Sequence, residues 1–483
     1  MIPIKLSLRP ENFAPFRFKK LSEGKMLLTS EHGGYAIITE DQFKSLLAGV
    51  SPDSDPEMKA KLEAAGIIGF EKAKLATLFA KKHAFLACGP NLHIMVVTLR
   101  CNHSCKYCHA AAVPMEAENM DMTLETAKKV VDTAFFSTAP SISIEFQGGE
   151  PLVNWDVVKF SIEYAEKKSA KLSKPVHFSL VTNLSIMDDE KLDFLLEHNV
   201  GLNTSLDGDE QTHNFNRTFN KGNSFQNVDY WVREIDRRSQ EKYWKRNVIS
   251  ALLTTTSKTL KRWKEAVDTY DSLEMDQIFW RPLNAMGFGA STFSFLGYTT
   301  EEFIESYGKV LDYMLEKNKA GTSKMKEAYA CIFLKKILTP YDPNYVDTRS
   351  PCGAVIGQVA YNYDGRIYSC DEGRMLAKMG FDEFQVGEVS DDPRATYVSM
   401  ITSPSTKAIL SASLIEGLPG YENDPYKPYI GACPANNFKS TGDIYPKYPT
   451  DFKRRIETGI LDAIFTRLQD PENEKIFRKW IAT

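Results

Sequence analysis

Apolar runs of strand length alternate with amphipathic stretches of helix length between about residue 90 and residue 320. This alternation is typical of βα units, in which parallel strands are joined by crossover helices. The predicted strands are 93–99, 141–147, 176–182, 200–206, 246–254 and 276–283. The predicted helices include 124–136, 157–167, 189–197, 225–237 and 260–270. Six such units predict an α/β barrel with its functional side chains at the carboxyl ends of the strands.

The first 90 residues follow a different pattern. Residues 25–29 and 34–39 flank Ser30-Glu-His-Gly33, which predicts a β-hairpin, and helical patterns follow at 40–47 and 56–65. A module of this kind offers a sheet edge to which an extended peptide can add as a further strand. The alternative is an extension that only covers the barrel.

Composition excludes several classes of protein. The 483 residues are 43% hydrophobic and 25% charged, and the net charge is −4 with no large basic block, so nucleic acid is not indicated as a partner. No apolar run approaches the roughly 18 residues of a membrane span, and the N-terminus has no signal-peptide pattern. We therefore expect a cytoplasmic protein that does not bind membranes. In that reducing location its eight cysteines are better suited to metal ligation than to disulfides.

Three of these cysteines lie close together in Cys101-Asn-His-Ser-Cys105-Lys-Tyr-Cys108, directly after the first predicted barrel strand. Three thiolates on one loop can hold three irons of a cubane cluster. The fourth iron is then open, because such clusters usually take four thiolates. The alternative is a zinc site in which His103 or His109 is the fourth ligand.

The cysteine loop resembles the signature of the radical S-adenosylmethionine (SAM) superfamily, whose members bind SAM at a [4Fe-4S] cluster. Further matches follow at Gly148-Gly149-Glu150-Pro151, Thr182-Asn183, Ser205-Leu-Asp-Gly208 and Arg217. The resemblance implies cluster ligation by Cys101, Cys105 and Cys108. The SAM contacts that it implies are Tyr107, Gly148, Gly149, Glu150, Thr182, Asn183, Ser205, Asp207, Arg217 and Leu283. It also implies a partial, TIM-like (β/α)6 barrel, open on one side for a peptide.

The C-terminal third carries Cys331, Cys352, Cys370 and Cys433. The spacing Cys352-x12-Gly365-x4-Cys370 resembles the opening of the SPASM or twitch domain, with a hairpin at 361–368 that turns at Asp364-Gly365. Only Cys433-Pro434 remains of the later cysteine run of that domain. The resemblance implies one auxiliary [4Fe-4S] cluster on all four cysteines. The alternative is four buried structural cysteines, the role that we expect for Cys88.

Asp371 directly follows Cys370. The resemblance to sulfatase maturases of the SPASM group implies that Asp371 is the catalytic base, and we expect the neighbouring Glu372 to matter little. Residues 369–375, 433–443 and 459–465 are similar to the His-Xaa-Ser system radical SAM maturases of the HxsB type.

These resemblances divide the chain into a leader-peptide-recognition-like, winged-helix-like module (1–90), a radical SAM barrel (91–320) and a SPASM/twitch-like auxiliary-cluster domain (321–483). They imply reductive cleavage of SAM to a 5′-deoxyadenosyl radical that modifies, and most simply crosslinks, side chains of a peptide. The implied partners are a ribosomally synthesised precursor peptide, an electron donor such as flavodoxin or ferredoxin, and a second maturase. Rival interpretations are an anaerobic sulfatase-type maturase, a radical SAM enzyme of small metabolites, and a zinc-stabilised binding protein.

Overall fold

The N-terminal residues form a small sheet followed by helices in the computed structural model, which describes residues 13–69, 71–243 and 249–482. Its elements are β1 (Phe16–Ser22), β2 (Lys25–Ser30), β3 (Tyr35–Thr39), α1 (Glu40–Leu47), α2 (Pro56–Ala64) and α3 (Lys72–Lys82). The predicted hairpin is the antiparallel pair β2–β3, and β1 adds a strand that was not predicted. Residues 1–12 of the predicted module, and 246–248 of a predicted barrel strand, lie outside the described residues.

This N-terminal sheet is held against the C-terminal third of the chain. The Lys19 ammonium lies 2.6 Å from the Asp462 carboxylate, and the Thr29 hydroxyl donates to the Pro425 carbonyl at 2.6 Å. Leu27 is fully buried and belongs to the main hydrophobic core of the molecule. The N-terminal sheet therefore packs directly against the rest of the protein.

Six parallel strands form the barrel, in the order β12-β10-β8-β7-β6-β4. The strands of this region are β4 (Leu92–Thr98), β5 (Ser104–Cys105), β6 (Ile142–Gly148), β7 (Val176–Thr182), β8 (Gly201–Ser205), β9 (Arg217–Thr218), β10 (Ile249–Thr254), β11 (Gln277–Ile278) and β12 (Trp280–Arg281). The helices are α4 (Leu124–Ala134), α5 (Trp155–Leu172), α6 (Asp189–Glu197), α7 (Glu210–Asn216), α8 (Ser224–Tyr243), α9 (Ser257–Lys261), α10 (Trp263–Ser272), α11 (Phe288–Leu296) and α12 (Thr300–Lys319). The predicted α/β architecture is confirmed.

The last predicted barrel strand, 276–283, is wrong as a single element. It consists of β11 and β12, because the Arg281 amide donates to the nearby Phe279 carbonyl at 2.7 Å and interrupts the ladder. β11 pairs with β13 (Lys326–Glu327), and only β12 joins the barrel.

The C-terminal third continues the barrel sheet instead of forming a separate one. β14 (Gln358–Tyr361) runs parallel to β4, and β15 (Arg366–Tyr368) and β16 (Gln385–Glu388) follow antiparallel. Gly365 sits at the predicted hairpin turn with φ +88°, a conformation that suits glycine. The helices are α13 (Ala328–Leu338), α14 (Asp371–Lys378), α15 (Pro393–Thr402), α16 (Pro404–Ala412), α17 (Pro434–Thr441), α18 (Phe452–Arg467) and α19 (Pro471–Trp480). None of the helices within the described ranges is long and apolar enough to cross a bilayer.

Candidate active site

The three-cysteine loop begins just past the end of β4 and is fixed from both sides. The Cys101 amide donates to the Val113 carbonyl at 2.9 Å, and Cys105 pairs with Arg217 in the short ladder β5–β9. The pKa of the Cys101 thiol is raised to about 12, mainly by burial and then by Glu150, with smaller contributions from the neighbouring thiols Cys105 and Cys108. The three sulfurs therefore share one small space, and iron must displace a proton to bind there.

A single zinc ion fits this loop poorly. Both ring nitrogens of His103 are occupied, Nδ1 by Asn102 Oδ1 at 3.1 Å and Nε2 by the Ser224 hydroxyl at 2.9 Å. The described part of the chain has no three His, Cys, Asp or Glu side chains arranged to share one metal ion. A cubane cluster does not require the three thiolates to share one metal ion, because each thiolate binds a different iron and the cysteine sulfurs can therefore lie further apart.

Gly148 and Gly149 bring the end of β6 against the cysteine loop. The Gly149 amide donates to Thr98 O and the Glu150 amide to Arg100 O, each at 2.9 Å. A Cβ on Gly148 would lie 2.0 Å from Thr98 O, and one on Gly149 would lie 2.4 Å from Arg100 O. The two glycines are thus required for this close approach of two backbones.

The Glu150 carboxylate joins the ends of β6 and β7. It is buried and accepts from the Thr182 hydroxyl at 2.7 Å, the Asn183 amide at 2.7 Å and the Leu152 amide at 3.1 Å. Burial raises the pKa of Glu150, although these donors oppose the shift. Thr182 therefore contacts Glu150, and the Asn183 side chain reaches towards the Cys101 sulfur at 3.8 Å.

Tyr107 connects Asp207 and Arg217 in the part of the site next to the cysteine loop. Its buried hydroxyl donates to Asp207 at 2.6 Å and accepts from Arg217 Nη1 at 3.0 Å. Leu283 packs in the same small apolar cluster as Tyr107. Ser205 ends β8 two residues before Asp207.

Arg217 keeps donor capacity that the protein does not use. Its buried Nε has no hydrogen-bond partner among the described residues. A guanidinium that keeps an unsatisfied N–H beside three thiols and a tyrosine ring is well suited to a carboxylate ligand. These residues therefore fit a cluster with SAM bound to it.

The barrel interior holds a polar cavity of about 300 Å³ between β4 and β12. Glu145 lies in it and accepts from Gln147 at 2.6 Å and from the Ser179 hydroxyl at 3.0 Å. Asp371 and Glu372 also line it, and Arg281 is the one cation among its described lining residues. Such a cavity suits a polar side chain better than an apolar one.

A larger cavity of about 690 Å³ shares Arg281, Tyr345, Asp347 and Glu372 with the first one and extends past Leu283. The two cavities therefore adjoin each other near Arg281 and Glu372. Burial raises the pKa of Glu372 to about 7, helped by Asp347 and Asp371. Asp371 instead forms an ion pair with the buried Arg374, with 3.0 Å between Nε and Oδ1.

Cys352, Cys370 and Cys433 come together in one apolar cluster. Each of the last two begins a helix and accepts there from a backbone amide, Gly373 to Cys370 at 3.3 Å and Asn436 to Cys433 at 3.5 Å. Burial raises the pKa of both thiols, and the other cysteines of the group raise it further. Amides aimed at sulfur stabilise thiolates, so this group is suited to iron.

Cys331 does not join that group, in contrast to the four-cysteine site that we predicted. It lies on α13, and its thiol donates to the Trp480 carbonyl at 3.8 Å in the packing with α19. Sequence spacing could not reveal this, because the partner of a helical side chain depends on how distant helices pack. The structure thus gathers three of the four C-terminal cysteines.

Sequence reasoning also missed Glu145, Gln147 and Arg281, and set Glu372 aside. The sequence does contain a pattern that could have predicted Glu145 and Gln147. Polar residues alternate with apolar ones at 143, 145 and 147, which predicts one polar face along β6. No comparable pattern marks Arg281, which reaches the cavity from the irregular strand β12.

A family model described as the Radical SAM superfamily matches residues 95–269. This segment holds the cysteine loop, the two glycines and Arg217. Over this segment the chain is therefore similar to the radical SAM superfamily.

Curated relatives match over limited segments. The radical SAM cyclopropyl synthase TigE of Paramaledivibacter caminithermalis is 28% identical over 134 residues, which is 25% of this chain and 28% of TigE. A cysteine-type anaerobic sulfatase-maturating enzyme of Clostridium novyi is 26% identical over 167 residues, 34% of this chain and 43% of that protein. The match thus spans less than half the length of these relatives.

Solved structures agree in fold over much more of the chain. Native anSMEcpe with bound AdoMet and Kp18Cys peptide has a TM-score of 0.64 at 18% identity, covering 80% of this chain and 100% of that one. Streptococcus suis SuiB bound to precursor peptide SuiA has a TM-score of 0.53 at 14% identity, covering 89% and 96%. The fold is therefore that of radical SAM proteins.

Proposed function

We propose that this chain is a peptide-modifying radical SAM maturase that acts on a ribosomally synthesised precursor peptide. The observation that carries the proposal is the pair of adjoining cavities, one lined by Leu283 and the other by Asp371, which share Arg281 and Glu372. The complexes of anSMEcpe and SuiB with peptides support the same substrate class.

In this proposal Cys101, Cys105 and Cys108 hold the [4Fe-4S] cluster, and Arg217 binds the carboxylate of SAM. Together the cluster and SAM supply a 5′-deoxyadenosyl radical, which removes hydrogen from an unreactive carbon of the peptide. Tyr107 and Leu283 enclose the adenine and exclude water from it. In a two-electron oxidation of the peptide, Asp371 or Glu372 would take the released proton and the auxiliary cluster would accept the second electron.

The group Cys352, Cys370 and Cys433 would hold the auxiliary [4Fe-4S] cluster. Three protein thiolates leave one coordination position for another ligand. Within the HxsB-type subfamily the expected product is a crosslink between side chains of the precursor, made in the cytoplasm with a second maturase as partner.

The direct test is anaerobic co-expression of the chain with a short precursor encoded beside it, followed by mass spectrometry of the peptide. A crosslink that releases two hydrogens lowers the peptide mass by about two daltons, and a variant without Cys101, Cys105 and Cys108 should give unmodified peptide. Conversion of a sulfatase cysteine to an aldehyde by the same protein would instead support the sulfatase-type function. The similarity to the Clostridium novyi enzyme keeps that alternative open.

Leader recognition by the N-terminal module is a separate part of the proposal. The three strands are ordered β1-β2-β3, and no further strand pairs with either edge among the described residues. We expect addition of the precursor to slow hydrogen exchange of backbone amides along one of these edges, because a new strand protects the amides that it pairs with. Hydrogen-exchange mass spectrometry checks this.

A leaderless core peptide is the control and should leave the edge amides unprotected. Deleting residues 1 to 90 should weaken precursor binding while uncoupled SAM cleavage continues, although it also removes Leu27 from the main core and exposes the residues that Leu27 packs against. If the edge amides exchange at the same rate with and without the full precursor, the N-terminal module only covers the barrel.

A further inference from the structure

Helix α11 presents two large apolar side chains to solvent beside the cysteine loop. Phe288 is 50% exposed and Phe295 is 53% exposed. They are seven residues apart and therefore lie on the same face of the helix. Helix α9 packs beside α11, where the Ser257 hydroxyl donates to the Phe295 carbonyl at 3.1 Å.

Two lysines lie close to this face. Lys106 Nζ lies 4.2 Å and Lys258 Nζ 4.1 Å from the centre of the Phe215 ring. Neither lysine forms a salt bridge within the described ranges of the chain. We define Lys106, Phe215, Lys258, Phe288 and Phe295 as the cationic aromatic patch.

Two hydrogen bonds connect helix α11 to the cysteine loop. The Phe288 amide donates to the Cys108 carbonyl at 2.9 Å, and the Thr292 hydroxyl donates to the Lys106 carbonyl at 2.9 Å. Lys106 itself directly follows Cys105. The patch is therefore the outer surface of the cysteine loop.

The peptide cavity lies on another side of this helix. Ala290 and Phe293 line the large cavity, whereas Phe288 and Phe295 are not among its lining residues. A substrate inside the cavity would leave the patch uncovered.

We propose that the cationic aromatic patch is the docking surface of an acidic, low-potential one-electron carrier protein. The inference rests on the proposed function, because reductive SAM cleavage needs one electron from outside the chain. The carrier is oxidised by one electron and the [4Fe-4S] cluster is reduced by one, and no bond forms or breaks in this step. Lys106, whose ammonium donates to the Phe215 carbonyl, and Lys258 have no carboxylate partner among the described residues. Their charges attract an acidic partner, and exposed aromatic rings supply the small apolar contact of a transient redox encounter.

The test uses reconstituted holoenzyme and photoreduced flavodoxin as the acidic carrier, with cluster bleaching followed by stopped flow. The variant Lys258→Glu with Phe295→Ser should lower the bimolecular reduction rate about tenfold or more at low salt and weaken its salt dependence. Lys106→Gln should lower the rate in the same direction. The control Lys167→Glu with Lys171→Glu changes two exposed lysines on α5 and should leave the rate unchanged.

Dithionite separates this proposal from the proposed function. All variants should cleave SAM at the parent rate with dithionite, because a small reductant does not need a docking surface. A parent enzyme without dithionite-driven cleavage would contradict the proposed function itself. Unchanged flavodoxin rates in the patch variants, or a loss of precursor affinity at unchanged rates, would overturn the docking proposal.

Discussion

Replacing Cys101, Cys105 and Cys108 together by alanine is expected to abolish SAM cleavage and to lower the iron content from about eight to about four per chain. The three thiols share one space at the end of β4, and Arg217 and Tyr107 complete the site beside them. Without them nothing in this loop can hold iron, whereas Cys352, Cys370 and Cys433 belong to a different cluster of buried residues. Iron and sulfide analysis after anaerobic reconstitution measures the change.

Cys331→Ala is the matched control for this prediction. We expect it to leave the iron content at about eight, because only three C-terminal cysteines come together and each cubane can keep an open iron. Cys88→Ala should behave in the same way. Loss of about four irons in Cys331→Ala would restore the four-cysteine site predicted from the sequence. About twelve irons in the parent protein would mean that other ligands replace the missing SPASM cysteines.

The second large effect is expected for Asp371→Asn. Modified peptide should fall by about two orders of magnitude, because general-base assistance is typically worth 10² to 10⁴ in rate. Formation of 5′-deoxyadenosine should continue, because Asp371 lies in the barrel cavity and contacts none of the proposed SAM ligands. Chromatography of 5′-deoxyadenosine and mass spectrometry of the peptide measure the two quantities separately.

Glu372→Gln is the informative comparison, since Glu372 lines the same cavity without the ion pair to Arg374. From the sequence we expected little effect of this change, but the position of Glu372 in both cavities makes it the rival base. If Asp371→Asn gives the full yield of modified peptide and Glu372→Gln gives less, Glu372 is the catalytic base. Asp207→Asn should instead weaken SAM binding, because Asp207 holds the Tyr107 hydroxyl.

Much of the proposed SAM site could be predicted, because its residues lie close together in the sequence or at the ends of recognisable strands. Three cysteines within eight residues can only lie on one loop, and Gly148-Gly149 can follow a strand closely only because they lack a Cβ. Carboxyl ends of parallel strands meet at one edge of the sheet, so Thr182, Ser205 and Leu283 had to gather near that loop. Periodicity and chain order predicted these positions, and the resemblance to the radical SAM superfamily supplied the roles expected of them.

The sequence by itself thus determined the α/β class, the cysteine loop and the order of the elements around it. Only the tertiary structure decided that Cys331 packs against α19 and not with Cys352, that β14 extends the barrel sheet, and that Glu372 enters the cavity. These features depend on contacts between residues far apart in the chain. Such contacts are set by how whole helices and strands pack, and no local spacing or periodicity encodes them.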